Sequence, residues 1–159
     1  MTAFDTAITF VLKHEGGLSD NPSDPGGLTK YGISHRSHPN VDIRNLTIEQ
    51  AKDIYHRDYW DRCNCGNLPA ALGILLFDAA VNQGPSASIR NLQRALGVKA
   101  DGVIGPVTLT AASTDLVHEH IAEFIARRAL SYAGNPNISI FGLGWFRRLA
   151  AAHQLVLTL

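Results

Sequence analysis

The sequence contains little cysteine: its only two, Cys63 and Cys65, are separated by a single residue. This spacing is too short for an ordinary structural disulfide, and it fits a chain that folds in a reducing compartment. With 159 residues, the chain is long enough to bury a sizeable core of its own. We therefore expect a fold that depends neither on disulfides nor on a structural metal.

The sequence also lacks an excess of charge of either sign. Lysine and arginine together number 14, as do aspartate and glutamate, so the formal net charge is zero. Nucleic-acid-binding domains usually carry a basic surface, and no nucleic acid partner is expected here. The hydrophobic fraction of 45% and the charged fraction of 18% are typical of a globular domain rather than a disordered chain.

Long apolar runs are missing as well. No stretch approaches the roughly 18 consecutive apolar residues of a membrane-spanning helix, so stable membrane insertion is not expected. Met1 to Asp5 lack the basic start and apolar core of a secretory signal. These features predict a monomer that is made in the cytoplasm without a signal peptide.

Helical periodicity accounts for most of the chain. Apolar residues recur at helical spacing from Phe4 until Gly16-Gly17 ends the first helix. Turn residues between 18 and 46 predict a small β-hairpin or irregular lobe around Leu28 to Ile33. Further helices are predicted over Thr47 to about Asp61, Pro69 to Val81, Pro85 to Gly97, from Pro106, Thr114 to Tyr132 and Gly144 to Leu157. The fold class is mainly α, with the helix after Pro69 as its buried centre.

Glu15 is the strongest catalytic candidate. It lies four residues after Val11, on the same side of the first helix as the apolar stripe. Burial disfavours a charged carboxylate, so such a glutamic acid can keep its proton near neutral pH and donate it to a glycosidic oxygen. The simpler alternative is that Glu15 ends a helix and reaches solvent or an arginine partner.

Two further candidates lie in the turn-rich lobe. Asp24 and Thr29 could face Glu15 across a groove, where they would hold a water molecule or stabilise a positively charged sugar. Asp24 also has a plainer explanation, because Asp-Pro-Gly-Gly is a turn sequence in which the aspartate bonds the local backbone.

Several motifs match a known family. They are His14-Glu15-Gly16-Gly17, Asn21-Pro22, Asp24-Pro25-Gly26-Gly27, Thr29, Tyr31-Gly32-Ile33 and Asp78-Ala79-Ala80-Val81-Asn82-Gln83-Gly84. With these motifs, nearly the whole chain resembles glycoside hydrolase family 108, which contains phage endolysins and secretion-associated N-acetylmuramidases. The resemblance implies a lysozyme-like fold and cleavage of the β-1,4 bond between N-acetylmuramic acid and N-acetylglucosamine in peptidoglycan, with Glu15 as catalytic residue. Similarity to small phage lysozymes suggests the roles of Asp24 and Thr29.

The family leaves open a phage endolysin or a bacterial secretion muramidase. The missing signal and the compact size favour an endolysin that lyses a bacterial host after a holin releases it from the cytoplasm to the periplasmic wall. Two alternatives remain open. One is a lytic transglycosylase or chitinase-like enzyme on the same fold, and the other is a non-catalytic protein that binds the wall or assists secretion.

The second half of the chain contains another recognisable pattern. Leu92-Gln93, Asp101-Gly102 and Gly105-Pro106-Val107-Thr108 resemble peptidoglycan-binding modules. The predicted division is therefore a catalytic region at 1–86 and a binding-like region at 87–159, both in one compact body. Folding alone explains most of the motif, so direct contact with substrate stays open.

The remaining candidates concern substrate binding. Asp78 and Asn82 lie one turn apart on an apolar helix, so they either line the glycan cleft or anchor the lobe above it; Gln83 belongs to the same motif. Tyr31, beside Gly32, is the preferred aromatic wall of the cleft, whereas Trp145 and Phe146 are predicted to be core. No histidine spacing typical of a metal site occurs, so neither metal nor cofactor is expected.

Overall fold

The computed structural model describes residues 1–19 and 27–159. In these residues the protein has seven α-helices and one antiparallel pair of short strands. The helices are α1 (Ala3–Glu15), α2 (Ile48–Tyr55), α3 (Ala70–Gln83), α4 (Pro85–Ala95), α5 (Pro106–Ala112), α6 (Val117–Ala133) and α7 (Ile138–Val156). The strands are β1 (Thr29–Lys30) and β2 (Ile33–Ser34). The mainly helical fold with a small hairpin lobe near the N-terminus is confirmed.

Capping boxes start the first two helices. The Thr2 side chain accepts from the Asp5 backbone N–H while Asp5 accepts from Thr2, and Thr47 and Gln50 make the same reciprocal pair. Each box satisfies two backbone donors that a helix start would otherwise leave unpaired. After α2 the chain continues as a π-helical segment, His56–Asp61. The predicted helix from Thr47 to Asp61 therefore consists of an α-helical part followed by a π-helical part.

Helix α3 is the buried centre, as predicted. Every residue from Leu72 to Ala80 is buried, and the helix contacts α1, α4, α6 and α7. A helix that is apolar on all sides needs neighbours on all sides. Within the described ranges, no helix combines the length and apolarity that crossing a membrane would require.

The hairpin lobe turns tightly at Tyr31 and Gly32. Both have positive φ, 53° and 77°, and they join strands in which Thr29 pairs with Ser34 and Lys30 with Ile33. Two successive residues with positive φ form the type I′ turn that suits the twist of a hairpin. The Tyr55 hydroxyl on α2 donates to the Tyr31 carbonyl at 2.9 Å, so the turn is held against the helical body.

The last two helices begin elsewhere than the sequence predicts. Helix α7 begins at Ile138, before the predicted start at Gly144, and α6 begins at Val117 rather than at Thr114. Glycine weakens a helix, but Gly142 is buried and packs closely on the preceding turn: a Cβ there would lie 2.9 Å from Ile138 Cγ1. Close packing therefore overrides propensity at the start of α7.

The residues of the motif that resembles peptidoglycan-binding modules form hydrogen bonds with one another inside the fold. Gln93 is 1% exposed, and its Nε2 donates to Asp101 Oδ1 at 2.7 Å, to the Val103 carbonyl at 2.9 Å and to Thr108 Oγ1 at 3.2 Å. Its Oε1 accepts from the Gly102 N–H at 2.8 Å. The amide thus joins α4 to the loop before α5. Substrate contact by this segment, and the division at residue 86, stay predictions.

We expect Gln93→Leu to lower the free energy of unfolding by about 1–3 kcal/mol, because several buried polar groups lose their partner. Urea unfolding measures the change. Gln154→Leu on the exposed face of α7 is the matched control and should leave the stability nearly unchanged; equal losses for both variants would contradict a structural role for Gln93.

Candidate active site

Glu15, the last residue of α1, lies where α1, α7 and the hairpin lobe meet. Its Oε1 accepts from Arg148 Nη1 at 2.6 Å, and its side chain is 21% exposed. The sequence predicts an apolar environment, but the nearest polar group in the structure is a guanidinium. The alternative of an arginine partner is thus correct in part, but this arginine is only 8% exposed, unlike one in a surface ion pair.

Arg148 is fixed from its other side by Asp78. Its Nε donates to Asp78 Oδ1 at 2.8 Å, and Arg128 Nη2 donates to Asp78 Oδ2 at 2.8 Å. Asp78 is 1% exposed and Arg128 is fully buried. Burial lowers the pKa of Arg148, but Asp78 and Glu15 outweigh it and the net shift is upward. Asp78 thus lies between the two guanidiniums and accepts from both.

The network continues to the end of α3. Arg128 Nε donates to Gln83 Oε1 at 2.9 Å, and Arg128 Nη2 lies 3.5 Å from the Tyr132 hydroxyl. That hydroxyl donates in turn to Asn82 Oδ1. Buried polar groups are stable when each finds a partner, and Asn82 and Gln83 provide partners for groups on α6.

The hairpin turn packs directly against Glu15. A Cβ at Gly32 would lie 2.5 Å from the Tyr55 hydroxyl oxygen and 2.8 Å from Glu15 Oε2. No side chain fits at this position, so glycine is required both by its positive φ and by its neighbours. Burial raises the pKa of the Tyr55 hydroxyl, and the nearby Glu15 carboxylate adds to the shift.

The predicted site residues occupy different positions. Tyr31 lies in the turn beside Glu15, with the Lys30 ammonium 5.5 Å from its ring centre. Thr29 begins the hairpin, and its hydroxyl donates to the Gly27 carbonyl at 3.2 Å. Asp24 lies outside the described residues. Asp78 is buried between two arginines, so it anchors the site and presents no surface to a ligand.

Sequence reasoning missed Arg148 and Arg128. Arg148 follows Glu15 by 133 residues, and no local pattern links side chains so distant in sequence. The sequence offered one signal for them: Arg128 and Arg148 each lie on a helix with an apolar face, where a charged side chain needs a buried partner. The prediction that Trp145 and Phe146 are core was wrong: Phe146 is 38% exposed and Trp145 is half-buried, because the α6 side chain that both rings contact, Tyr132, covers only part of them.

A helical body, a small hairpin lobe and a half-buried glutamic acid where they meet define a lysozyme-like glycan hydrolase. The family model described as Glycosyl hydrolase 108 matches residues 8–84. Among solved structures, Brucella abortus SagA is similar: it is 32% identical, the match covers 98% of this chain and 94% of that chain, and the TM-score is 0.86. No curated protein matches significantly.

The chain belongs to glycosyl hydrolase family 108. It is therefore a glycoside hydrolase, an N-acetylmuramidase that hydrolyses peptidoglycan.

Replacing Gly32 by alanine should reduce both stability and activity. Gly97→Ala is the matched control, because Gly97 also has positive φ, 70°, but a Cβ there has no neighbour within 4 Å. The control should lose about 1–2 kcal/mol of unfolding free energy from the left-handed backbone alone, and Gly32→Ala should lose about 1–3 kcal/mol more from the close contacts. Urea unfolding and turbidity loss of purified cell wall measure the two effects; equal stability losses would refute the close packing of the turn on Glu15.

Asp78→Asn should lower the free energy of unfolding by about 3–5 kcal/mol at neutral pH, because two buried guanidiniums lose the carboxylate between them. Asp115→Asn, on an exposed residue, provides the comparison for loss of one surface charge. Chemical denaturation of both variants suffices, and a loss at Asp78 no larger than that at Asp115 would show that the network contributes little to stability.

Proposed function

We propose that Glu15 is the general acid that cleaves the bond between N-acetylmuramic acid and N-acetylglucosamine. The observation that carries the proposal is the Glu15 carboxyl, held by Arg148 at 2.6 Å yet still 21% exposed beside the hairpin turn. A catalytic acid must be fixed in position and still reach its substrate. Among the described carboxylates of the network, Asp78 is fixed but buried, so only Glu15 meets both conditions.

In the proposed reaction, Glu15 protonates the oxygen between the two sugars, the bond from that oxygen to the anomeric carbon breaks, and water supplies the hydroxyl of the new reducing end. Once the proton has left, the Arg148 guanidinium stabilises the carboxylate. Arg148 is therefore a positioning residue.

Asp24 and Thr29 are proposed to act on the opposite face of the sugar, orienting the attacking water or stabilising positive charge. Thr29 supports this role by its place in the hairpin whose turn contacts Glu15. The backbone of Thr29 also pairs with that of Ser19, through bonds of 2.8 and 2.9 Å. Tyr31 is proposed as the aromatic wall of the cleft beside the acid.

Glu15→Gln tests the assignment. The amide keeps an oxygen acceptor for Arg148 but carries no acidic proton, so kcat should fall by at least about 100-fold while the fold is retained. Turbidity loss of purified wall measures the rate, and circular dichroism checks the fold. Glu119→Gln, on an exposed glutamate of α6, should keep full activity.

Wall-digest rates for Glu15→Gln close to those of the unaltered protein would overturn the assignment. Mass spectrometry of the digest then identifies the chemistry. Ordinary reducing-end muramic acid indicates hydrolysis, whereas anhydromuramic ends would indicate a lytic transglycosylase.

The biological setting is proposed from the family resemblance, which includes phage endolysins. We propose an endolysin that is made in the host cytoplasm, crosses the membrane through holin-made lesions and lyses the cell from the periplasm. Expression in a bacterium with and without a co-expressed holin tests this. Lysis only with the holin is expected; lysis without it would contradict holin-dependent release.

A further inference from the structure

A groove of about 320 Å³ lies beside the end of α3, between α4, α6 and α7. Its volume is within the range of small-molecule sites, about 300–1,000 Å³. The side chains that determine its chemistry are four amides and two aromatic rings: Asn82, Gln83, Asn91, Asn135, Tyr132 and Trp145. None of the described residues that line the groove is charged.

The aromatic pair provides a platform at one side of the groove. The Tyr132 and Trp145 rings stack with centroids 5.2 Å apart and an angle of 19° between their planes. Tyr132 is buried and Trp145 is half-buried, so Trp145 is the ring with a surface to offer. An amphipathic aromatic ring suits a ligand with one apolar face and polar edges, as a pyranose ring has.

The amides provide hydrogen-bonding groups around this platform. Asn82 Oδ1 accepts from Tyr132, and Asn135 Oδ1 accepts from the Asn137 backbone N–H at 2.9 Å. Across the described part of the chain, no hydrogen bond engages Nδ2 of either asparagine. Two neutral donors thus remain for a ligand that brings acceptors, such as hydroxyl or acetamido oxygens.

Peptidoglycan consists of glycan strands and stem peptides, and the uncharged lining that the structure describes favours one of the two as ligand. Stem peptides carry carboxylates and ammonium groups, which need a counterion when water is removed from them. An N-acetylated sugar carries only neutral hydroxyl and amide groups, which pair with the neutral lining. The groove therefore matches the glycan rather than the peptide.

The groove also belongs to the same hydrogen-bonded system as the candidate acid. Tyr132 and Asn82 form its wall, Arg128 lies behind Tyr132 and bonds Asp78, and Asp78 bonds Arg148. Asn82 follows Asp78 by four residues of α3, about 6 Å along the helix axis. A glycan strand bound at Glu15 would thus have a second contact close by on the helical body.

We propose that this groove is a saccharide subsite that binds an N-acetylated sugar ring of the glycan strand, away from the bond that is cleaved. The proposal rests on the proposed function, because it takes the glycan as ligand. It adds Trp145 as the stacking residue and Asn82 and Asn135 as donors to the sugar.

The experiment measures binding without turnover. Trp60 is buried, and the chain has only two tryptophans, so Trp60→Phe leaves Trp145 as the only fluorescent tryptophan. In a Glu15→Gln, Trp60→Phe protein, a β-1,4-linked tetramer of N-acetylglucosamine should change Trp145 emission in a saturable manner. A peptidoglycan stem tetrapeptide should not.

Variants then identify the contacts by calorimetry in the Glu15→Gln protein. Trp145→Ala should weaken tetramer binding about tenfold. Asn135→Asp keeps the acceptor for the Asn137 N–H but removes the Nδ2 donor, so the fold is retained and binding should weaken about fivefold. Asn67→Asp, on an exposed asparagine outside the groove, should bind as the parent does.

Three results would each overturn the subsite. The first is tetramer binding that neither Trp145→Ala nor Asn135→Asp weakens, and the second is the lack of a saturable change in Trp145 emission. The third is binding of the stem peptide that becomes stronger in Asn135→Asp. These outcomes are independent of the cleavage assay. If the tetramer does not bind at the groove but wall cleavage still requires Glu15, only the subsite is refuted. If wall cleavage does not require Glu15, only the assignment of the acid is refuted.

Discussion

The position of the Asp78 carboxylate is the constraint on which the rest of the structure depends. It lies in the middle of the most buried helix and accepts from one arginine of α6 and one of α7. Neither guanidinium could be buried without this counterion, because removing an unpaired charge from water costs several kcal/mol. Once α6 and α7 are tied to α3 in this way, a second nitrogen of Arg148, Nη1, donates to Glu15 at the end of α1.

The candidate site follows from this arrangement. The N-terminal part contributes the acid and the hairpin, while a C-terminal helix contributes the arginine that holds the acid. A carboxyl in an apolar pocket would also be a plausible acid, but it would be free to change rotamer. Here Arg148 fixes one oxygen and the Tyr31–Gly32 turn lies against the other side. The same network positions Tyr132 and Asn82 at the proposed sugar groove, so the candidate acid and the proposed groove share one support.

Local patterns predicted much of the fold. The helical spacing that starts at Phe4, the capping box at Thr47 and the apolar run before Asp78 each correspond to a helix in the structure. Predictions were less accurate where packing competes with propensity. Gly142 and Gly144 suggested a late start for α7, yet α7 begins at Ile138, because Gly142 lets the helix pack closely on its own preceding turn.

By itself, the sequence determined the class of fold, the choice of Glu15 as candidate acid and the need for partners at Asp78 and Asn82, because periodicity, glycine placement and buried polarity act over a few residues. Only the tertiary structure decided which partners these are. The pairing of Glu15 with Arg148, the internal use of Gln93 and the groove at Trp145 all join residues far apart in the chain. Ion pairs and grooves depend on how helices are placed in space, and the local spacing of residues in the sequence does not determine that placement.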